Sequence, residues 1–190
     1  MEKKFLYEYG SPLGKIFVES DGEFLTGLWF EHSPDEKKHS KILAGSEIQE
    51  VRPEELTSVP PLAETCRWLD IYFGGKNPPF VPEFRIENLT PFRKRVFDEM
   101  LKIPYGKTLS YGEIAKNIAA ANGISRMSAQ AVGGAVGWNP VCIIVPCHRI
   151  VGANGNLTGY GGGIRNKIAL LELEGIETEK FALPKSLKFM

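Results

Sequence analysis

Residues 110–136, SYGEIAKNIAAANGISRMSAQAVGGAV, carry the signals that set the architecture of the second half of the chain. Ser110 and Glu113 match a capping box, in which each side chain bonds the backbone N–H of the other residue at the start of a helix. Gly123 breaks that helix, and a second helix is predicted over 128–136. A helix, a turn containing glycine and a second helix are the order of a helix-turn-helix.

The second of these predicted helices consists mainly of small residues, namely Ala129, Ala131, Gly133, Gly134 and Ala135. Two adjacent glycines lower the stability of a helix by about 2 kcal/mol relative to alanine. Two explanations of this composition are equally favoured. Either the helix packs tightly against a neighbouring element, or a backbone or a nucleic-acid groove approaches it closely.

The first half of the chain has the pattern of a small sheet followed by one helix. Three short runs rich in β-formers predict antiparallel strands over 4–9, 15–19 and 25–30. Residues 31–59 are polar and predict a long loop with short elements, and a helix is predicted from Pro60 to Gly74. Residues 77–82 contain three prolines and are interpreted as a linker between domains.

The remaining helix signals lie in the second half. Thr90 is an N-cap candidate followed by proline at the first helical position, and the apolar residues after it predict a helix. A last helix is predicted over 164–174 and ends at Gly175. We therefore expect an α/β protein of two domains, residues 1–82 with the antiparallel sheet and residues 83–190 with most of the helices.

The composition is that of an ordinary globular protein, with 190 residues, 43% hydrophobic and 24% charged, at zero formal net charge. No apolar run approaches the roughly 20 residues of a membrane span, and the N-terminus lacks the apolar stretch of a signal peptide. Three cysteines form an odd, sparse set that argues against a disulfide framework, so we expect a cytoplasmic protein without membrane association. The net charge is −5 over 1–85, +4 over 86–150 and +1 over 151–190, which favours two units with different roles.

Cys147 and His148 are the sharpest chemical signal. They follow the apolar run 141–145 and precede the glycine-rich residues 159–163. A thiol with an ordinary pKa of about 8.5 becomes a good nucleophile as the thiolate, and a nearby imidazole can take its proton directly or through water. Neighbours in an extended chain point to opposite faces, so the pair requires a turn or a bridging water. The alternative is a buried structural cysteine beside a chance histidine.

Other motifs fit known patterns less well. Residues 106–108 resemble the end of a phosphate-binding loop but lack its earlier glycine, and residues 159–163 lack the last glycine of a dinucleotide fingerprint. His32, His39 and Cys66 match no zinc spacing, so neither a metal nor a cofactor is predicted.

The residues around Cys147 resemble one known family. Asn139-Pro140, IVPCHRI at 144–150 and TGYGG at 158–162 are similar to the motifs of the O(6)-alkylguanine–DNA alkyltransferases. The similarity covers residues 88–175, and it includes the segments 90–92, 103–108, 110–112 and 170–175. Members of that family move an alkyl group from the 6-oxygen of guanine in DNA to one of their own cysteines. The first half resembles the family's variable N-terminal domain only in strand content and order.

The resemblance implies a role for each catalytic residue. Cys147 is the alkyl acceptor, His148 is a base that acts through a water, and Glu174 orients His148. Asn139 holds the active-site turn by hydrogen bonding. Tyr111 donates a proton to the purine as the alkyl group leaves, and it helps to rotate the nucleotide.

The resemblance also implies a DNA interface and a pocket for a flipped base. The small-residue helix lies in the minor groove, with DNA contacts assigned to Arg126, Ala129, Gln130, Ala131, Gly133 and Gly134. The base pocket is assigned to Val136, Ile150, Leu157, Thr158, Gly159, Tyr160 and Gly161. Main-chain carbonyls at Cys147 and Ile150 accept from the 2-amino group of the guanine. The expected partner is double-stranded DNA with an alkylated guanine or thymine, bound by a monomer.

The implied architecture is a ribonuclease-H-like N-terminal domain, an antiparallel sheet with helix, followed by a helical, winged-helix-like domain. The chain departs from the family pattern at the position of the arginine that fills the gap left by the flipped base. Gln130 stands there and can bond the orphaned cytosine without the arginine's charge or planar fork. Arg126, one turn earlier, is the residue that would compensate. Trp138 replaces a smaller residue beside Asn139, and the sequence assigns it no role.

Rival functions follow from the same residues. A lesion-recognition protein of this family performs no transfer and lacks the reactive cysteine, so Cys147 argues against that class. A cysteine hydrolase or thiol redox enzyme would use Cys147 and His148 with turnover. A purely structural DNA-binding protein would leave the Cys–His–Glu set without a purpose.

Overall fold

The computed structural model describes residues 2–182, apart from the side chain of Ile42, and these residues form two compact units. The first unit contains residues 2–87 and Pro140–Ile144, and the second contains Asn88–Asn139 and residues 145–182. The chain therefore changes unit between residues 87 and 88 rather than at the proposed boundary after residue 82. Residues 183–190, which belong to the predicted second domain, lie outside the described residues.

The first unit is built on a four-stranded sheet with the strand order β3-β2-β1-β4. The strands are β1 (Lys3–Ser11), β2 (Gly14–Ser20), β3 (Leu25–Phe30) and β4 (Glu47–Glu50). The three predicted strands are confirmed and pair antiparallel, whereas β4 pairs parallel with β1. The sheet is therefore mixed: the predicted antiparallel arrangement is confirmed for β1 to β3, and the parallel strand β4 is not among the predicted strands. All four residues of β4 are exposed, so this strand shows no alternation of polar and apolar residues.

The helical elements of the first unit all follow β3, and the first of them precedes β4. They are α1 (Glu36–Leu43), a 3-10 turn (Pro53–Ser58) and α2 (Pro60–Phe73). Residues 31–59, predicted as a long loop with short elements, contain three such elements, namely α1, β4 and the 3-10 turn. The predicted helix after Pro60 is confirmed, and it buries Leu62, Cys66 and Leu69 at helical spacing as it packs against the sheet.

The second unit is mainly helical. Its helices are α3 (Pro91–Leu101), α4 (Tyr111–Ala121), α5 (Ala129–Val136) and α6 (Ile164–Leu173). The predicted caps are present: Thr90 accepts from the N–H of Arg93, and Ser110 and Glu113 make both bonds of the capping box. Helices α3, α4 and α5 pack on one another, and the predicted order of helix, turn and helix over 110–136 is confirmed.

A short parallel pair of strands joins the helices to the cysteine motif. Strand β5 (Leu109–Ser110) leads into α4, and β6 (Ile150–Val151) directly follows the 3-10 turn Cys147–Arg149. This pairing places the cysteine motif near the first turn of α4. Helix α6 packs against the 3-10 turn Cys147–Arg149. Within residues 2–182, every helix is too short or too polar to cross a membrane.

Candidate active site

Cys147 begins the 3-10 turn, and one asparagine fixes both the turn and the sulfur. Nδ2 of Asn139 donates to Sγ of Cys147 at 3.1 Å and to the carbonyl of Val145 at 2.9 Å. The N–H of Cys147 donates to that same carbonyl at 2.8 Å. The helical backbone of the turn replaces the extended conformation in which Cys147 and His148 would point to opposite faces.

His148 and Glu174 form a buried pair in which Nε2 of His148 lies 2.7 Å from Oε1 of Glu174. Burial alone would raise the pKa of Glu174, but the hydrogen bonds and charges of His148 and Arg149 outweigh it and lower the pKa to about 2. Burial lowers the pKa of His148, and Glu174 opposes that shift. The ionised carboxylate thus accepts a hydrogen bond from Nε2–H of a neutral imidazole. Nδ1 is then the unprotonated, basic nitrogen of His148.

Two further groups hold Glu174, and the sequence alone assigns a role to neither of them. Arg149 donates through Nε to Oε2 at 2.9 Å and through Nη2 to Oε1 at 3.0 Å, while its Nη1 donates to the carbonyl of Ile103 at 2.7 Å. The N–H of Gly106 donates to Oε2 at 3.0 Å. Gly106 belongs to the segment 106–108 that resembles a phosphate loop, and its actual place is beside this carboxylate.

Lys167 is a third functional candidate that sequence reasoning missed. The side chain is completely buried on α6, and Nζ donates to the carbonyls of Ile150 at 2.5 Å and Thr158 at 3.1 Å. Burial lowers the pKa of Lys167 to about 8, against the opposing charge of the Cys147 thiolate. The signal that could have found it is a lysine within the buried stripe of the last helix.

Tyr111, the first residue of α4, connects α5 to the glycine-rich loop. Its hydroxyl donates to the carbonyl of Gly159 at 3.2 Å, and a Cβ added to Gly133 would lie 3.7 Å from its ring. Burial raises the pKa of Tyr111, and the charge of Cys147 raises it further. The phenol is therefore protonated at neutral pH and able to donate.

The other predicted site residues fall into two groups. The proposed pocket residues Val136, Ile150, Leu157 and Tyr160 are buried, Thr158 and Gly161 are half-buried, and Gly159 is exposed. The proposed DNA contacts Arg126, Ala129, Gln130, Ala131 and Gly134 are exposed, and Gly133 is half-buried. A Cβ added to Gly134 would meet nothing within 4 Å, so packing among the described residues does not require glycine there. The roles of both groups stay predictions.

No group of three or more His, Cys, Asp or Glu side chains within the described residues is arranged to hold a metal ion. The second unit thus combines a helix-turn-helix, a common DNA-binding arrangement, with a cysteine that accepts from an asparagine amide and is followed in the chain by the histidine of a buried His–Glu pair. These are the features expected of a DNA-binding protein that uses a cysteine nucleophile.

Comparisons with known proteins give the same class and a family. Residues 91–176 match the family model of the 6-O-methylguanine DNA methyltransferase DNA-binding domain. The chain is 40% identical to a methylated-DNA–protein-cysteine methyltransferase of Mycobacterium leprae, over 86% of this chain and 88% of the relative. It is 38% identical to the enzyme of the same name from Methanosarcina acetivorans, over 88% and 96% of the two chains.

Solved structures agree with the sequence relatives. The Mycobacterium tuberculosis O6-methylguanine methyltransferase superposes with a TM-score of 0.71 at 36% identity, over 97% of this chain and 99% of that one. A structure of the same organism's protein in complex with DNA also gives a TM-score of 0.71, over 96% and 97%. The chain belongs to the methylated-DNA–protein-cysteine methyltransferase family. It transfers a methyl group from DNA to one of its own cysteines, which repairs the DNA by direct reversal.

Proposed function

We propose that Cys147 is the acceptor and that the substrate is O6-alkylguanine in double-stranded DNA. The observation that carries this proposal is the hydrogen bond from Asn139 to Sγ of Cys147, beside the buried pair of His148 and Glu174. Burial raises the pKa of the Cys66 thiol to about 12, so that cysteine is a poor nucleophile at neutral pH. Cys147 is the cysteine that stands within a catalytic arrangement.

The proton on Cys147 leaves before or during the attack. Because Nε2–H of His148 donates a hydrogen bond to Glu174, Nδ1 is the base. We expect Nδ1 to accept the thiol proton through one water. The charge of Glu174 stabilises the imidazolium that results. The sulfur then forms a bond to the alkyl carbon as the bond between that carbon and the guanine oxygen breaks.

Tyr111 supplies the second proton transfer of the proposed reaction. Its protonated hydroxyl donates to the purine as the alkyl group leaves, so that guanine departs as a neutral base. The product on Cys147 is a thioether, which has no polarised carbonyl for water to attack. Each protein molecule therefore acts once.

The buried thiol requires the lesion to leave the base stack, so nucleotide flipping belongs to the proposal. The flipped base would lie against Tyr160 and the main chain of Gly161. The carbonyl of Ile150, which Lys167 holds at 2.5 Å, would accept from the 2-amino group of guanine. The buried cation fixes the direction of this carbonyl before the base arrives.

The exposed face of α5 is the proposed minor-groove surface. Gly134 is exposed and its glycine is not needed for packing within the described residues, which supports the explanation that something approaches from outside. Gln130 would enter the gap left by the flipped base, and Arg126 would contact phosphate. Gly134→Leu should weaken DNA binding without unfolding the protein. Gly134→Ala should raise helix stability, by at most about 1 kcal/mol, because alanine is the better helix former.

The proposal also includes the fold type of each domain, the location of the protein and its oligomeric state. The antiparallel strands β1 to β3 with their helices support a ribonuclease-H-like first domain, and the helix-turn-helix with its short strand pair supports a winged-helix-like second domain. The acidic first half would stay away from phosphates. We propose a cytoplasmic monomer that needs neither metal nor cofactor.

The test is an intact-mass measurement after mixing the protein with a duplex that contains one O6-methylguanine. We expect the wild type to gain one methyl group in stoichiometric yield, and Cys147→Ala to gain none. Lesion-selective binding without a mass gain would instead identify a recognition protein. A mass gain on Cys147→Ala would assign the acceptor to another cysteine.

A further inference from the structure

Trp138, the residue to which the sequence gives no role, is held by two side chains of α3. The guanidinium carbon of Arg93 lies 4.2 Å from the centroid of the Trp138 ring. The ring of Phe97 meets it edge-on, at 6.3 Å between centroids and 69° between planes. Phe97 is buried and meets the indole edge-on, while the guanidinium of Arg93 lies over the face of the ring.

The backbone next to this ring is also fixed. The N–H of Trp138 donates to the carbonyl of Ala135 at 3.2 Å, and the N–H of Asn139 donates to that of Val136 at 3.2 Å. Consecutive Cα atoms are 3.8 Å apart across a trans peptide, so a shift of Trp138 carries Asn139 with it. The side chain of Asn139 then reaches Sγ of Cys147 at 3.1 Å.

We propose that Arg93 and Trp138 form a clamp that positions Asn139, and that its amide thereby stays on the sulfur of Cys147 as the thiolate forms and attacks. The inference deepens the proposed function and rests on Cys147 as the acceptor. A hydrogen bond to an ionised sulfur is charge-assisted and stronger than one to the neutral thiol. A displacement of Asn139 therefore destabilises the thiolate more than the thiol. This raises the pKa of Cys147 and slows the reaction.

Four variants separate this clamp from ordinary packing. Arg93→Met removes the cation but keeps an apolar side chain over the ring, and Trp138→Leu removes the ring. Trp138→Phe is the conservative variant, because it keeps an aromatic ring under the guanidinium of Arg93. Lys94→Met is the matched control, since it removes the same charge from the same helix, where Lys94 pairs with Asp98 at the surface.

The first readout is the pH profile of Cys147 alkylation by iodoacetamide without DNA, located by peptide mapping. We expect Arg93→Met and Trp138→Leu to slow this alkylation near neutral pH about tenfold, and to move the midpoint of the profile about one pH unit higher. Trp138→Phe should recover most of the rate, and Lys94→Met should keep the wild-type profile. Tyr111 and Lys167, whose pKa values the charge of Cys147 acts to raise, and His148, the proposed base, are the same in all variants.

The second readout is single-turnover methyl transfer from the methylated duplex, in the wild type and in an Asn139→Ala background. If the clamp acts through Asn139, Arg93→Met slows transfer in the wild type but adds little when Asn139 is already absent. An equal loss in both backgrounds would overturn the proposal. So would an unchanged thiol profile with weaker DNA binding, which would make Arg93 a phosphate contact, or with only a lower Tm, which would make the clamp a packing feature. A methyl group gained by Cys147→Ala would refute the proposed acceptor and leave the iodoacetamide result standing.

Discussion

The main-chain N–H of Gly106 donates to Oε2 of Glu174 at 3.0 Å, across 68 positions of the sequence. The segment before α4 therefore helps to hold the carboxylate on which His148 depends. Gly106 has a φ of +72°, and a Cβ there would lie 3.0 Å from the carbonyl oxygen of Glu174. Both its conformation and its surroundings favour a residue without a side chain.

Gly106→Ala should therefore destabilise the protein and slow the transfer. Gly123→Ala is the matched control, because Gly123 has a φ of +63° and an added Cβ would meet nothing within 4 Å. Each variant should lose about 1 kcal/mol from the positive φ. Only Gly106→Ala should also lose roughly tenfold in single-turnover rate, because Glu174 shifts away from His148. Equal transfer rates in the two variants would show that Gly106 does not position the carboxylate.

Glu174→Gln should lower the rate of methyl transfer by about 100-fold or more, because a neutral amide cannot stabilise the imidazolium of His148. It should also lower the free energy of unfolding by about 3 kcal/mol, since Arg149 is left buried without its carboxylate. Single-turnover kinetics and urea denaturation measure the two effects. Glu177→Gln, at an exposed residue, should change neither. A normal rate in Glu174→Gln would remove Glu174 from the mechanism.

Local signals explain what the sequence predicts correctly. Thr90 and the pair Ser110 and Glu113 fix the starts of α3 and α4 through bonds within one helical turn, and such bonds are visible as residue types at fixed spacing. The cysteine motif is equally local, because backbone bonds between neighbouring residues close the turn and its anchor Asn139 lies eight positions before Cys147. These features can be predicted without knowledge of the rest of the chain.

Long-range contacts explain what the sequence does not predict. Strand β4 exists because it pairs with β1, and its exposed sequence carries no periodicity of its own. Gly106, Arg149 and Lys167 acquire their roles from partners between 9 and 68 residues away. The contacts of Trp138 are likewise long-range, because Arg93 and Phe97 lie more than 40 residues earlier, on α3.

Lys167 should give the protein a distinctive response to alkaline pH. Burial lowers its pKa to about 8, against 10.5 for the exposed side chain. Between these values the unfolded chain keeps a proton that the folded chain has lost, so stability rises with pH. Relative to Lys167→Met, the wild type should gain about 2 to 3 kcal/mol in the free energy of unfolding from pH 8 to pH 10.5. Lys180→Met, at an exposed lysine, should run parallel to the wild type. Parallel curves for Lys167→Met would show that the lysine is charged in the fold over this range.

His39 should act in the opposite pH range. It stacks on Trp29 with ring centroids 3.8 Å apart, and burial, with the charge of Lys38, lowers its pKa to about 3 from 6.5. As pH falls between these values the unfolded chain binds a proton that the fold excludes, so stability is lost, by roughly 4 kcal/mol at pH 3. In urea denaturation, His39→Phe should keep the aromatic stack and lose less stability between pH 6.5 and pH 4. The wild type and His32→Gln, altered at an exposed histidine, should fall together. The buried Glu19, whose pKa is raised by burial, is present in all three proteins and cancels from the comparison. An equal slope in His39→Phe would mean that His39 accepts a proton without cost, and that the acid sensitivity of the first unit has another origin.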